Sequence, residues 1–247
     1  MSYSADLKDK QILALVSSER VGVREMAERL FMSEATVRRR LGELEKKGLV
    51  IRTHGGAIPV LEQKNPPLIS RTGRFNRSKE LIASKAVALI KEGDTVFADS
   101  SSTVQYLLPR LASFRRLTVC TNSLRAAAIL MESGVGCILL GGDLIPEEQA
   151  CNSEETFEMI ERINADIFFF SCDAMSEDGL LTDDSKESCR LRRHYMKHSA
   201  KKVLLIDDSK LGAKRTYTLC RTDDVDVCVC NTPLPEKYVK MGKFTVL

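Results

Sequence analysis

Three consecutive arginines, Arg38, Arg39 and Arg40, follow the small and hydroxylic residues Ser33, Ala35 and Thr36, and Lys46 closes the same stretch. Guanidinium groups on a helix with small neighbours suit phosphate oxygens and guanine edges in a DNA groove. Arg52, His54 and the Gly55–Gly56 pair come shortly after, with side chains and backbone amides suited to flanking phosphate. A second chemistry lies further along. Asp99, Ser100, Ser101, Ser102 and Thr103 run together, as do Thr121, Asn122 and Ser123, and then Asp207, Asp208, Ser209 and Lys210. Hydroxyls and free amides at helix starts suit an anion, so these runs point to a small, polyhydroxylated, phosphorylated ligand. Any one of them is equally what a helix uses as its cap. Three on one sheet edge, with a lysine, favour the ligand.

Apolar spacing supplies the elements that must hold these residues. Leu7, Ile12, Leu13 and Val16 form one helical stripe, and Met26, Ala27 and Leu30 a second, entered through "RVGV". Ser33 is a good N-cap for a third helix, with Glu34 favourable in its first turn. Val37, Leu41 and Leu44 give its inner face and Gly48 its end. With Val37 inward, Ala35, Arg39, Gly42 and Lys46 point outward and Thr36 and Arg38 flank them. Arg40 falls nearer the core edge, where a backbone contact or an intraprotein ion pair is expected. "LVIRT" reads as a strand and "HGGAIPV" as a turn with a short returning strand, which completes a winged helix-turn-helix over residues 1–58. Residues 59–70, with three prolines, read as an extended linker. From 71 to 247 strands alternate with helices, the pattern of a doubly wound, mostly parallel α/β domain whose sheet is covered on both faces. Its three polar runs all fall at the carboxyl ends of strands, where such sheets bind ligands.

The totals exclude several classes. Hydrophobic residues make up 43% and charged residues 29% of 247, ordinary for a globular protein. The net charge is +3, and its surplus is local: residues 1–60 hold 11 Lys/Arg against 8 Asp/Glu. That placement suits a small DNA-contacting module on a neutral body. The start "MSYSADLKDKQ" has no apolar leader core, and the longest apolar run, "ADIFFFSC", is too short to span a bilayer. Eight cysteines occur without a C-x-x-C pair and three histidines without metal-ligand spacing. A cytoplasmic protein with no metal, no cofactor and no membrane contact is therefore expected.

The stretch "VGVREMAERLFMSEATVRRRLGELEKKGLVIRTHGGA" resembles the N-terminal signature of the DeoR family of bacterial sugar-metabolism regulators. Ser33, Thr36, Val37, Arg38, Arg39 and Leu41 match its recognition helix, and Arg52, His54, Gly55, Gly56 and Ala57 its wing. The departure is Arg40, where the family usually has aspartate. The similarity continues through Lys79, Ile82 and Ala83; Asp99, Ser102 and Thr103; Thr121, Asn122 and Ser123. Gly141 and Gly142, Gly179 and Thr182, and Asp207, Ser209, Lys210 and Gly212 extend it across nearly the whole chain. The resemblance implies a C-terminal domain like ribose-phosphate isomerase, a serine-threonine loop that holds phosphate, and Asp173 and Lys210 beside the sugar. Ser101, Asn152–Ser153, Ser171 and Ala174 stand where the family carries glycines, which implies a narrowed pocket or re-aimed amides.

The expectation is a homo-oligomeric DNA-binding transcriptional regulator, a repressor of sugar-metabolism genes released from its double-stranded operator by a phosphorylated sugar. It would act as a dimer or tetramer and not as an enzyme. Two alternatives stand beside it. One is a sugar-phosphate isomerase with a DNA-binding appendage, using Asp173 with Lys210, or Asp178 or Asp183 with Lys186. The other is a DNA-binding protein whose second domain only oligomerises. The basic run "SCRLRRHYMKHSAKK" reads as a solvated helix face or a subunit contact.

Overall fold

The computed structural model describes residues 8–9, 11–13, 15–16, 21–46, 49–53, 55–59, 68, 71, 76–242 and 244–247. His54, the helix-ending Gly48 and most of the 59–70 segment lie outside them, as does part of the first apolar stripe. The chain divides into two compact units, Met1–Asn76 and Arg77–Leu247.

In the first unit, β1 (Val21–Gly22) leads into α1 (Val23–Arg29), followed by α2 (Glu34–Lys46), β2 (Val50–Thr53) and β3 (Gly56–Pro59). Ile12, Val16, Val23, Met26, Val37, Leu41, Leu44, Val50 and Ala57 form its buried core, so the stripe expected on the third helix is the face that packs. The wing is a three-stranded antiparallel sheet in the order β1-β3-β2, with Val21 opposite Ala57 and Ile51 opposite Ile58. The "RVGV" segment is thus a strand as well as a helix entry. Gly56 permits this: a Cβ there would lie 2.3 Å from the Val21 carbonyl oxygen, so only glycine lets the strands close.

The turn between α1 and α2 holds Phe31 at φ 51° with its side chain 97% exposed. A non-glycine residue in this region is strained by about 1 kcal/mol, and Phe31 has no packing to offset it. Phe31→Asn should therefore raise the stability of this unit by about 0.5–1 kcal/mol, since asparagine tolerates the left-handed region. Urea unfolding measures it, and an unchanged midpoint would refute the strain.

The second unit is built on seven parallel strands in the order β15-β14-β12-β9-β4-β5-β6. They are β4 (Thr95–Ala98), β5 (Thr118–Thr121), β6 (Gly136–Leu139), β9 (Ala165–Phe170), β12 (Ser199–Ile206), β14 (Val227–Cys230) and β15 (Thr245–Val246). Phe168, Phe169 and Phe170 are all buried in β9, because a central parallel strand has no solvent face. One face of the sheet packs Phe97, Phe168, Phe170 and Leu204 against α6 (Glu154–Glu161), α7 (Lys186–Lys197) and α8 (Glu236–Met241). The other packs Val96, Val119, Phe169 and Val203 against α3 (Asn76–Ala86), the short α4 (Ser102–Gln105) and α5 (Leu124–Ser133). Helix α4 ends early, and the chain continues as a 3-10 turn over Leu108–Ser113 with Pro109 in its first turn. Two smaller sheets were not foreseen: the hairpin β7 (Leu144–Ile145) with β8 (Ala150–Cys151), and an antiparallel trio of β10 (Ala174–Met175), β11 (Leu180–Asp183) and β13 (Tyr217–Arg221).

The strand order runs outward from β4 through β5 and β6 on one side and through β9 and β12 on the other. The chain's winding reverses between β4 and β9, and a crevice opens beyond the carboxyl ends of strands at such a point. Asp99 follows β4 there and Ser171 follows β9, and the Asp99 amide donates to the Phe169 carbonyl at 3.2 Å.

Candidate DNA-reading helix and ligand-binding crevice

Helix α2 starts at Ser33, whose hydroxyl accepts from the Thr36 amide at 3.2 Å and lies 2.9 Å from the Thr36 hydroxyl. The cap fixes the first turn, and behind it Ala35, Arg38, Arg39 and Lys46 are exposed while Thr36 and Gly42 are half-buried. Arg38 donates to Glu34 at 2.7 Å, and Arg39 stands 3.6 Å from Glu43. Both pairs are open to solvent, where such bridges contribute at most about 1 kcal/mol, so a phosphate or guanine edge can displace the carboxylates. From the wing, Arg52 reaches back over the helix: a Cβ on Gly42 would sit 3.8 Å from its Nη1, and Glu45 lies 3.8 Å from the same group. Gly55, at φ 82°, is exposed at the wing's tip.

Two residues grouped with this surface leave it. Arg40 turns inward to Asp9 at 3.0 Å, both side chains 11% exposed, because its position on the helix lies beside the core stripe. Gly56 is buried against Val21 within the sheet and offers the wing its close packing, not a phosphate contact.

In the second unit, Asp99 organises the crevice. Its Oδ1 accepts the Ser101 amide at 2.9 Å, and its Oδ2 accepts the Ser171 amide at 3.4 Å and Arg192 Nε at 2.8 Å. Arg192, from α7, reaches Asp183 with its other arm. Asp99, Asp183 and Arg192 are all buried, so the Arg192 guanidinium bridges two desolvated carboxyl groups across the switch point. Ser101 caps α4 at φ −66° by accepting the Val104 amide; its backbone does not need the glycine the family carries. Lys79, buried on α3, donates to the Ser102 hydroxyl at 3.0 Å. Thr103 is fully buried, and among the described residues its hydroxyl has no hydrogen-bond partner; both polar atoms of buried Gln105 are in the same condition. Ser100 is half-buried.

Lys210 donates to the Ser171 hydroxyl at 3.0 Å and to the Cys172 carbonyl at 2.7 Å. Ser171, where the family carries glycine, thus anchors the lysine to the crevice wall. Ser153 does comparable work at the other departure: it caps α6 with Thr156, and both hydroxyls fill the space beside Gly142, where a Cβ would meet them at 2.4 and 2.5 Å.

Thr121, Asn122 and Ser123 are buried at 0–1% exposure, and each is occupied within the chain. Thr121 accepts the Ser123 amide, Ser123 caps α5 through the Ala126 amide, and Asn122 donates to Cys151 and accepts from Tyr195. Their polar groups are used within the chain at the end of β5, as expected of residue types that serve both caps and ligand sites.

Asp173 and Asp183 face each other. Burial pushes the Asp183 carboxyl well above its ordinary value, Arg192 opposes this, and the negative charge of Asp173 adds to it. Burial also acts upward on Asp173, but the hydrogen bond from Asp183 and the charges of Lys210 and Arg192 outweigh it and hold Asp173 low. The two carboxyls share one proton, held on Asp183. Protonated Asp183 therefore adds stability that is complete below its unfolded value of 3.8 and is lost as pH rises through its raised value. Asp183→Asn keeps a donor for Asp173 and an acceptor for Arg192 at all pH. The melting temperature of the variant minus that of the wild type should rise with pH from 4 to 8, and a flat difference would rule out the shared proton.

Burial pushes the Cys120 and Cys172 thiols up to about 12, which leaves no thiolate for chemistry at neutral pH. Among the described residues no group of His, Cys, Asp or Glu is arranged to hold a metal, and no helix is long and apolar enough to cross a membrane.

Comparison with known proteins identifies the family. The DeoR-like helix-turn-helix domain matches residues 8–63, and the DeoR C terminal sensor domain residues 74–232. The lactose phosphotransferase system repressor of Staphylococcus epidermidis is 32% identical over 229 residues, covering 91% of this chain and 90% of that protein. The glycerol-3-phosphate regulon repressor of Escherichia coli is 29% identical over 222 residues, covering 90% and 88%. Among solved structures, ribose 5-phosphate isomerase A of Methanocaldococcus jannaschii aligns with a TM-score of 0.41 at 19% identity, over 54% of this chain and 53% of that one. The chain belongs to the DeoR family, and it is a DNA-binding transcriptional regulator with an N-terminal helix-turn-helix and a C-terminal sensor domain.

Proposed function

We propose that this regulator is a repressor whose hold on its operator is released by a phosphorylated sugar or polyol bound in the switch-point crevice. The carrying observation is the fully buried Thr103 hydroxyl, which finds no hydrogen-bond partner among the described residues, on a serine loop that also meets the Lys79 ammonium. A buried hydroxyl without a partner is destabilising by about 1–3 kcal/mol, and a phosphate oxygen would satisfy it. Ser100, Ser101, Ser102 and Thr103 with Lys79 would hold the phosphate, and Asp173 and Lys210 the sugar hydroxyls. The names of the two relatives, a lactose phosphotransferase system repressor and a glycerol-3-phosphate regulon repressor, support this ligand class. Asp173, held low, is a weak proton acceptor, which favours binding over proton abstraction from a substrate.

In the other unit, Ala35, Thr36, Arg38 and Arg39 would enter the major groove, and Lys46, Arg52, Gly55 and His54 would meet phosphates alongside. Two copies would read two half-sites. Fluorescence anisotropy on promoter DNA at fixed salt, with and without a panel of phosphorylated sugars and polyols, tests the whole reading. Arg39→Ala should weaken specific binding about 5- to 150-fold. Binding that no phosphorylated ligand alters would remove the effector reading and leave a constitutive DNA-binding protein. Turnover of a pentose phosphate by the full chain would instead favour the isomerase reading.

A further inference from the structure

Gln105, the last residue of α4, is 3% exposed, and among the described residues neither its amide oxygen nor its amide nitrogen has a hydrogen-bond partner. A primary amide carries two donors and two acceptor lone pairs. Burying all of them unmet is less favourable than burying a leucine of similar volume. Packing alone therefore gives no reason for a glutamine here, since Val104, Leu107 and Leu108 already supply the side of this segment that joins the core.

Helical geometry gives the direction of the side chain. Residues three apart lie on one side of a helix, and side chains lean toward its N-terminal turn, so Gln105 leans back over Ser102. That side of α4 faces α3. Lys79 donates to the Ser102 hydroxyl at 3.0 Å and stands 6.0 Å from the centre of the Tyr106 ring, and Arg110 reaches the Glu80 carbonyl at 3.4 Å. Lys79, Ser102 and Gln105 are all buried, so an ammonium, a hydroxyl and an unmet amide share one side of α4.

The two ends of the amide need different ligand groups. A phosphate dianion offers only acceptors, so it satisfies the Nε2 donors and leaves Oε1 unmet. Oε1 needs a donor from the ligand, and in a phosphorylated sugar or polyol that donor is a hydroxyl near the phosphoester. We infer that Gln105 is a specificity-determining residue of the crevice, donating to the phosphate through Nε2 and accepting, through Oε1, a ligand hydroxyl one or two carbons from the phosphoester carbon. This role rests on the effector reading above and narrows its ligand class.

Thermal unfolding and calorimetric titration of the full chain test it. The probes are glycerol 3-phosphate, fructose 1-phosphate and glucose 6-phosphate, with propyl phosphate as the hydroxyl-free control. Wild type should bind at least one hydroxylated probe ten times more tightly than propyl phosphate. Gln105→Leu removes the unmet amide, so it should raise the ligand-free melting temperature by about 2–6 °C. It should also weaken binding of the preferred probe about 10- to 100-fold and erase the preference over propyl phosphate. Gln105→Glu keeps the shape and sets a carboxylate against the phosphate, so it should abolish binding, and it serves as the test if the leucine variant does not fold. A lower melting temperature in the leucine variant would mean that the chain itself uses the amide, and would overturn the role. Wild-type affinity in the glutamate variant, or no wild-type preference over propyl phosphate, would also remove Gln105 while leaving the effector reading intact. If no phosphorylated probe binds wild type, both fall together.

Discussion

Replacing Arg192 by methionine should destabilise the Arg77–Leu247 unit by about 3–5 kcal/mol, the loss expected when one partner of a buried ion pair is removed. The guanidinium is buried between Asp99 and Asp183, and it also counters Asp173. Methionine fills a similar volume, so little of the loss comes from a cavity. What remains is Asp99, deprived of a counter-ion while still holding the Ser101 and Ser171 amides. The expected signature is a lower urea midpoint, or failure to accumulate folded protein. The triple variant Arg192→Met/Asp99→Asn/Asp183→Asn, which removes the stranded charges, should recover most of the loss. A loss under about 1 kcal/mol in the single variant would mean that the bridge does not hold the crevice together.

That bridge also shows where sequence reasoning stops. In "SCRLRRHYMKHSAKK" the basic run reads as a solvated helix face or a subunit contact, and Arg190, Arg193 and Lys197 are indeed exposed. Cys189, Arg192 and Tyr195, at i, i+3 and i+6, form the buried side, and nothing in residue type separates Arg192 from its exposed neighbours. Only its partners do, and Asp99 lies ninety-three positions away in sequence. The candidate DNA-reading helix was legible because its information is local: an N-cap, an apolar stripe of Val37, Leu41 and Leu44, and arginines placed relative to that stripe. The parallel strands were legible for the same reason, as runs such as Ala165–Phe170 are buried on both faces. The β10-β11-β13 sheet was not, since β10 is only Ala174–Met175 and β11 meets its other partner, β13, only from far along the chain, with mixed polarity. Lys79 sits between these cases. Its place in a family motif was visible, but its reach to the Ser102 hydroxyl required the sheet that brings α3 and the β4 loop together.

Lys79→Met should raise the concentration of phosphorylated ligand needed to release operator DNA about 30- to 1,000-fold, corresponding to about 2–4 kcal/mol, while affinity for the operator without ligand stays within about twofold. The size follows from removing one partner of a desolvated, hydrogen-bonded charge pair with a phosphate. It exceeds what loss of a single hydroxyl would give, because a neutral hydrogen bond contributes about 1 kcal/mol; Thr103→Val should therefore shift release only about 5- to 10-fold. Methionine is close in length to lysine and apolar, so a buried position tolerates it, and the intact Ser101 cap and Asp99–Arg192 bridge keep the loop in place. Ser171→Gly supplies the opposite case. It releases Lys210 from one of its two wall contacts and widens the crevice where the family carries glycine, so it should change which sugars are accepted, not whether phosphate is needed. Titration of the operator complex with the phosphorylated ligand and its dephosphorylated form separates these outcomes. If Lys79→Met responds like wild type, the phosphate does not lie on the serine loop, and the unpartnered Thr103 hydroxyl requires another explanation.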